Sequence, residues 1–148
     1  MLDYSLLKKR KQFLAIANKG ARRAGKALII QAAHQSLVCK DSEKPASISV
    51  THARPAPLFG FTASKKVGNA VQRNLAKRRM RSLVQRLNAD QVSNESAYVL
   101  IAKPSLACYD FALLEAEFHK LMSAMKKSDL FEHKHKPKAT CKTEQART

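Results

Sequence analysis

The fold is decided by residues 59–81, which read FGFTASKKVGNAVQRNLAKRRMR. At the start of this stretch apolar and small or polar side chains alternate, with Phe59, Phe61 and Ala63 on one side and Gly60, Thr62 and Ser64 on the other. This period of two predicts a β-strand. Gly68 can take backbone angles closed to other residues, and the Asn69 side chain can accept hydrogen bonds from the free amides of a first helical turn. The sequence therefore predicts a strand followed by a helix that begins at about Asn69.

The predicted helix has two different sides. Steps of 100° per residue place an apolar stripe on one side, formed by Ala76, Met80, Leu83, Val84 and Leu87. Another side is polar and cationic, formed by Asn74, Lys77, Arg78, Arg81 and Gln85, with Arg73 at its edge. No acidic residue lies between Glu43 and Asp90. Because like charges at these spacings repel each other, the pattern favours a polyanionic partner over a basic face that is merely solvated.

The whole chain is strongly basic. Its 148 residues include 28 Lys and Arg against 11 Asp and Glu, a net charge of +17, which predicts attraction to nucleic acid or to an anionic membrane. No apolar run approaches the roughly twenty residues of a membrane span. The basic helix also lacks an aromatic insertion face, so we expect nucleic acid and no membrane as the partner. Three widely spaced cysteines and the absence of a secretion-signal pattern favour a cytoplasmic location.

Residues 60–71, followed by Arg73-Asn74 and by the cations of 77–81, resemble the signature of the bacterial ribonuclease P protein component. Residues 7–13 resemble the first helix of that family and residues 98–104 its last strand, so the resemblance covers roughly residues 5 to 125. One position departs from the pattern, because the family usually has Arg-Asn-Arg where this chain has Arg73-Asn74-Leu75. Leu75 lies away from the apolar stripe, and we interpret it as a charge lost from a surface position.

The predicted elements form a single α/β domain around one mixed sheet of about four strands, in the order αβββαβα. The apolar run 27–33 is expected to pair with the strand at 59–64. The resemblance implies an α/β sandwich with a left-handed β–α–β crossover. We expect the RNA-binding domain to span residues 1–128, with a loop insertion at about 40–57, and a basic, disordered tail to span 129–148.

The resemblance also implies which residues bind RNA. The side chains expected to contact the catalytic RNA are Lys65, Lys66, Arg73, Asn74, Lys77, Arg78 and Arg81. The side chains expected to form a cleft for the 5′ leader of precursor tRNA are Lys11, Phe13, Thr62 and Ser64. An aromatic ring such as Phe13 stacks on bases of any sequence, although a core aromatic that holds the first helix is the alternative. Relatives often carry aromatic residues at the positions of Ala17 and Gln31, so this cleft is expected to rely more on charge.

The sequence offers no catalytic group of its own. A protein nuclease needs carboxylates that hold a divalent metal, or a nucleophile beside a base, and the basic stretch has neither. The resemblance implies a ribonucleoprotein endonuclease, a hydrolase of tRNA processing, whose RNA subunit acts with Mg²⁺. The partners that the resemblance implies for this chain are the ribonuclease P RNA and precursor tRNA, and we expect that it requires no protein partner.

Three other interpretations of the sequence concern a metal site, another class of RNA-binding protein and a nuclease. His133, His135 and Cys141 fall short of the four ligands of a structural zinc site. A ribosomal or general structured-RNA-binding protein stays open, because basic α/β domains of this size occur there too. A stand-alone metal nuclease also stays open, and it predicts cleavage of the precursor by the chain alone.

Overall fold

The computed structural model describes residues 2–38 and 56–127, which form a five-stranded mixed sheet with helices on both faces. The strands are β1 (Ser5–Leu6), β2 (Ala21–Ala24), β3 (Leu28–His34), β4 (Leu58–Thr62) and β5 (Ser96–Ala102). The helices are α1 (Arg10–Lys19), α2 (Gln35–Val38), α3 (Ala70–Gln85) and α4 (Phe111–Lys127). Short 3₁₀ turns span Lys65–Val67, Ala89–Gln91 and Pro104–Cys108. The α/β sandwich is confirmed, with the two-residue β1 as an additional strand at the edge.

The order of strands across the sheet is β1-β4-β5-β3-β2. Strands β1, β4 and β5 run parallel to one another, whereas β3 is antiparallel to both β5 and β2. The predicted pairing of the run 27–33 with the strand at 59–64 is wrong, because β5 lies between them. Six of the seven residues of β5 are buried, and a strand that is apolar on both faces is stabilised most in the centre of a sheet.

Helix α3 connects two neighbouring parallel strands, β4 and β5, as the resemblance implies. The left hand of this crossover stays a prediction. Most of the predicted insertion at 40–57 and the whole predicted tail at 129–148 lie outside the described residues, as do His133, His135 and Cys141.

The larger hydrophobic core lies between the sheet and the helices α3 and α4. Alternation along the strands sends Phe59, Tyr98 and Leu100 to this side. The Phe59 and Tyr98 rings stack with centroids 5.1 Å apart and an interplanar angle of 20°. Both helices contribute buried side chains at helical spacing, namely Ala76, Met80, Leu83, Val84 and Leu87 near α3 and Leu114, Phe118, Met122 and Met125 on α4. The predicted apolar stripe of the basic helix is therefore confirmed.

A smaller core lies on the opposite face of the sheet, under α1 and α2. It contains Ile16 of α1, together with Leu58, Ala97 and Val99 of the strands. Helix α1 ends at Lys19 because Gly20 already has an extended backbone, with φ −85° and ψ 163°, although its amide still donates to the Ile16 carbonyl. Helix α3 therefore has one side on the larger core and one side that faces away from it. Among the described residues, α1 and α2 are the helices that cover the opposite face of the sheet.

Candidate nucleic-acid interface

The start of α3 is fixed by Gly68 and by the side chains of Asn69 and Gln72. Gly68 has φ +142°, in the region that favours glycine, and it lets the chain turn from the 3₁₀ turn into the helix. The Asn69 side chain accepts a hydrogen bond from the Gln72 amide at 3.0 Å, and the Gln72 side chain accepts one from the Asn69 amide at 3.2 Å. This reciprocal capping confirms the predicted start of the helix.

Positive charge accumulates at this end of α3. Lys65 and Lys66 are exposed in the 3₁₀ turn that directly precedes the helix, and its first turn contains no acidic residue. The N-terminus of a helix is itself the positive end of the backbone dipole. Two lysines at that position repel the dipole, and an anion placed there would relieve the repulsion.

The predicted polar side of α3 faces solvent. Asn74, Arg78, Arg81 and Gln85 are exposed, and Lys77 is half-buried. An open concavity of about 640 Å³ is lined by Val71, Asn74, Leu75, Lys77, Arg78 and Arg81. Within residues 2–38 and 56–127, no acidic side chain forms an ion pair with Lys77, Arg78 or Arg81. We call the set Asn74, Lys77, Arg78, Arg81 and Gln85 the basic face.

Arg81 connects the basic face to the sheet. Its guanidinium carbon lies 5.9 Å from the centroid of the Phe61 ring on β4. A cation at this distance from an aromatic ring is attracted to the negative electrostatic potential of the ring face. The contact restricts the Arg81 side chain while leaving it exposed, so less rotamer freedom is lost when an anion binds it.

Two arginines of α3 differ from the rest of its cations. Arg79 Nη1 donates to the backbone carbonyls of Leu106 at 3.1 Å and Tyr109 at 2.7 Å, and so it holds the 3₁₀ turn that follows β5. Arg73 is half-buried, and its Nε is buried without a hydrogen-bond partner in the described part of the chain. Arg73 therefore lies closer to the core than the edge position that its spacing predicted, and its contact with RNA stays a prediction.

The predicted cleft residues lie near α1 and β4. Phe13 of α1 packs over Gly60, where an added Cβ would come within 2.5 Å of the ring atom Cε1. Glycine at position 60 is thus what allows the ring to approach the sheet. Thr62 is half-buried two residues further along the same strand, on the same side as Gly60. Lys11 and Ser64 are exposed, and the Ser64 carbonyl accepts a hydrogen bond from the Val67 amide at 3.0 Å.

The strand register shows which residues share the side of the sheet on which Gly60 and Thr62 lie. Gly60 pairs with Val99, Val99 with Gln31, and Gln31 with Arg22 at the free edge of β2. Thr62 pairs with Ile101, which is half-buried. The sequence alone does not point to Arg22 or Ile101, because only the register of strands distant along the chain places them on this side of the sheet. Ala17 is exposed on α1 and Gln31 is half-buried on β3. These are the two positions at which the resemblance leads us to expect aromatic residues in relatives.

Residues 2–38 and 56–127 contain no group of three or more His, Cys, Asp or Glu side chains placed to hold a metal ion. Within the same ranges, no helix combines the length and the apolar content needed to cross a bilayer.

Comparisons with known proteins agree with the resemblance in the sequence. The family described as Ribonuclease P matches residues 1–126. The chain is 33% identical to the ribonuclease P protein component of Gluconacetobacter diazotrophicus over 116 residues, which are 78% of this chain and 86% of that protein. It is 32% identical to the ribonuclease P protein component of Helicobacter pylori strain J99 over 129 residues, covering 83% of this chain and 78% of that protein.

Solved structures show the same fold. The ribonuclease P protein of Staphylococcus aureus superposes with a TM-score of 0.63 at 19% identity, covering 82% of this chain and 94% of that one. The ribonuclease P protein of Thermotoga maritima superposes with a TM-score of 0.60 at 18% identity, covering 81% of this chain and 96% of that one.

Proposed function

Because the chain belongs to the ribonuclease P protein component family, we propose that it is the protein subunit of a ribonuclease P and assists the endonucleolytic removal of the 5′ leader from precursor tRNA. The observation that carries this proposal is the basic face of α3, whose cations are solvent-accessible and lack acidic partners in the described part of the chain. In the proposal, Lys65, Lys66, Lys77, Arg78 and Arg81 contact the phosphate backbone of the ribonuclease P RNA, together with Asn74 and Arg73.

The chemistry assigned to the basic face is charge neutralisation. Arginine can bind two phosphate oxygens at once, and each neutralised phosphate releases condensed counterions. A protein that neutralises phosphates of both RNAs lowers the repulsion between the ribonuclease P RNA and precursor tRNA. The hydrolysis itself is assigned to the RNA subunit with Mg²⁺, as the family resemblance implies. Two of the acids in the described residues serve the fold instead, since Asp110 caps α4 and Glu115 pairs with Arg86.

The second role assigned to the chain is to hold the leader. In the proposal, the single-stranded leader lies in the cleft bounded by Phe13 and Thr62, and a base stacks on the exposed part of the Phe13 ring. Lys11 and Ser64, both exposed, contribute a cation and a hydroxyl at the rim. Stacking is tolerant of sequence because every base has a π face, and this suits leaders that differ between tRNAs.

Reconstitution tests the proposal. Precursor tRNA is incubated with ribonuclease P RNA at an Mg²⁺ concentration too low for cleavage by the RNA alone, with and without the protein. We expect the protein to restore cleavage at the mature 5′ end. A general RNA-binding protein would bind the RNA without restoring cleavage. A stand-alone nuclease would cleave the precursor when the RNA subunit is left out, and either result would contradict the proposal.

The cleft has its own test in the Phe13→Ala variant of the reconstituted enzyme. Loss of a stacked base is expected to weaken precursor binding by about 1–3 kcal/mol and to leave mature tRNA unaffected, because mature tRNA has no leader. The matched control is Leu14→Ala, since Leu14 is the next residue of α1 and is half exposed. Equal losses for precursor and mature tRNA would show that Phe13 acts only through the packing of α1.

A further inference from the structure

The outer side of α3 contains an apolar strip that charge neutralisation does not explain. Val71 is 76% exposed, more than the other three large apolar side chains that reach solvent in the described residues. Leu75 lies one helical turn later and is half-buried, so the two side chains are neighbours at a spacing of four. Both line the same concavity of about 640 Å³ as Asn74, Arg78 and Arg81.

Phosphate groups alone would fit this surface poorly. Val71 and Leu75 offer no hydrogen-bond donor, and a phosphate placed over them would lose water without gaining a partner. The faces of nucleobases are apolar enough to cover such side chains, and burying that surface is favourable. In a base-paired A-form helix these faces are stacked inside, so only an unpaired nucleotide can present one.

The residues around the strip complement the rest of such a nucleotide. The Asn74 amide has both donors and an acceptor, which can bind the polar edge of a base. Arg78 and Arg81 can bind the phosphates on either side of it. We infer that α3 binds one unpaired nucleotide of the ribonuclease P RNA, with its base against Val71 and Leu75 and its flanking phosphates on Arg78 and Arg81. This inference rests on the proposed function.

Two substitutions separate this inference from simple charge attraction. Val71→Ala removes apolar contact without changing charge, and alanine keeps the helix because its helix propensity is higher. We expect the affinity for ribonuclease P RNA to fall about fourfold to fifteenfold, because the substitution removes two carbon atoms and each contributes about fourfold when fully buried, with an unchanged salt dependence. Leu113→Ala is the control, because Leu113 is 60% exposed on α4, away from the strip, and its loss should leave affinity unchanged.

Leu75→Arg adds a cation to the same concavity. If phosphates fill it, the new charge tightens RNA binding and steepens the slope of log K against log salt by about 0.9. If a base fills it, the arginine removes apolar contact, and affinity fails to rise despite the added charge. Affinity is measured across a range of salt concentrations, and circular dichroism checks that each variant is folded.

The outcomes distinguish the inference from the function on which it rests. A wild-type protein that does not bind the RNA or restore cleavage would overturn the proposed function itself. A wild-type protein that does both, combined with tighter binding by Leu75→Arg or unchanged binding by Val71→Ala, would overturn only the nucleotide site. If Val71→Ala leaves the RNA affinity unchanged, the nucleotide site is overturned even if the strip is found to bind another protein.

Discussion

Helices α3 and α4 pack on the same core, yet they differ in whether their charged side chains have partners within the fold. On α4 the acids have partners: Glu115 lies 3.0 Å from Arg86, and Glu117 accepts a hydrogen bond from the Lys26 amide. On α3 the exposed cations face no acid in the described part of the chain. The core therefore explains where both helices lie, but it does not explain the composition of the outer side of α3.

The difference shows how the few acids of this chain are used. Asp110 Oδ1 accepts from the Ala112 amide at 2.9 Å at the start of α4, and the carboxylates of Glu115 and Glu117 connect that helix to its neighbours. These three acids thus stabilise the α4 side of the fold. In the proposed function, RNA supplies the counter-charge that α3 lacks within residues 2–38 and 56–127.

The largest expected effect concerns Arg79, which lies on α3 like the basic face but hydrogen-bonds to the backbone that follows β5. Arg79→Ala removes the side-chain donor that binds the Leu106 and Tyr109 carbonyls. We expect the free energy of unfolding to fall by about 2 kcal/mol, since hydrogen bonds from charged groups are the stronger ones. Urea denaturation measures this loss. An unchanged unfolding midpoint together with weaker RNA binding would show that Arg79 acts in RNA binding and not in stabilising the fold.

A smaller effect is expected from Arg78→Glu, which reverses one exposed charge of the basic face. Affinity for ribonuclease P RNA should fall roughly tenfold, or about 1.4 kcal/mol, and the salt slope should become about one unit shallower. Filter binding at several salt concentrations measures both. Lys120→Glu makes the same charge change at an exposed position of α4 and should have little effect. Equal losses in the two variants would mean that net charge alone attracts the RNA.

The smallest effect concerns the core that both helices share. Burial raises the pKa of the Tyr98 phenol above its usual value of 10.0, and this outweighs the lowering by the hydrogen bond from the Ser93 amide and by the nearby Ser96 side chain. The folded protein therefore holds this proton more tightly than the unfolded chain does. Stability should be unaffected below pH about 10 and should fall as pH rises from there to the folded-state pKa. Tyr98→Phe should lose this component of the alkaline decline, as thermal unfolding at several pH values would measure.

Local features of the sequence predicted the start and the sides of α3 correctly. Gly68 and Asn69 act on the next turn of the chain, so their effect is visible without knowledge of the fold. The same holds for the apolar stripe of α3, whose spacing of three and four residues marks its buried side. The outer side of α3 was predictable for the same reason, because a helix has a fixed period.

Features that depend on distant residues were missed or placed wrongly. The strand at 59–64 does not pair with the run 27–33, because β5, far later in the chain, binds between them. The short edge strands β1 and β2 carry no clear apolar alternation, since edge positions bury little side-chain surface. The two carbonyls bound by Arg79 follow β5, and no pattern within α3 points to them.

The most direct test of the account maps where RNA contacts the protein. The complex of the chain with ribonuclease P RNA is crosslinked with ultraviolet light, and RNA-bearing peptides are identified by mass spectrometry. We expect crosslinks in residues 64–85, at the 3₁₀ turn and α3, and none in the exposed side of α4 over 111–127. Crosslinks concentrated on α4, with α3 free of them, would contradict the assignment of the basic face as the RNA-binding surface.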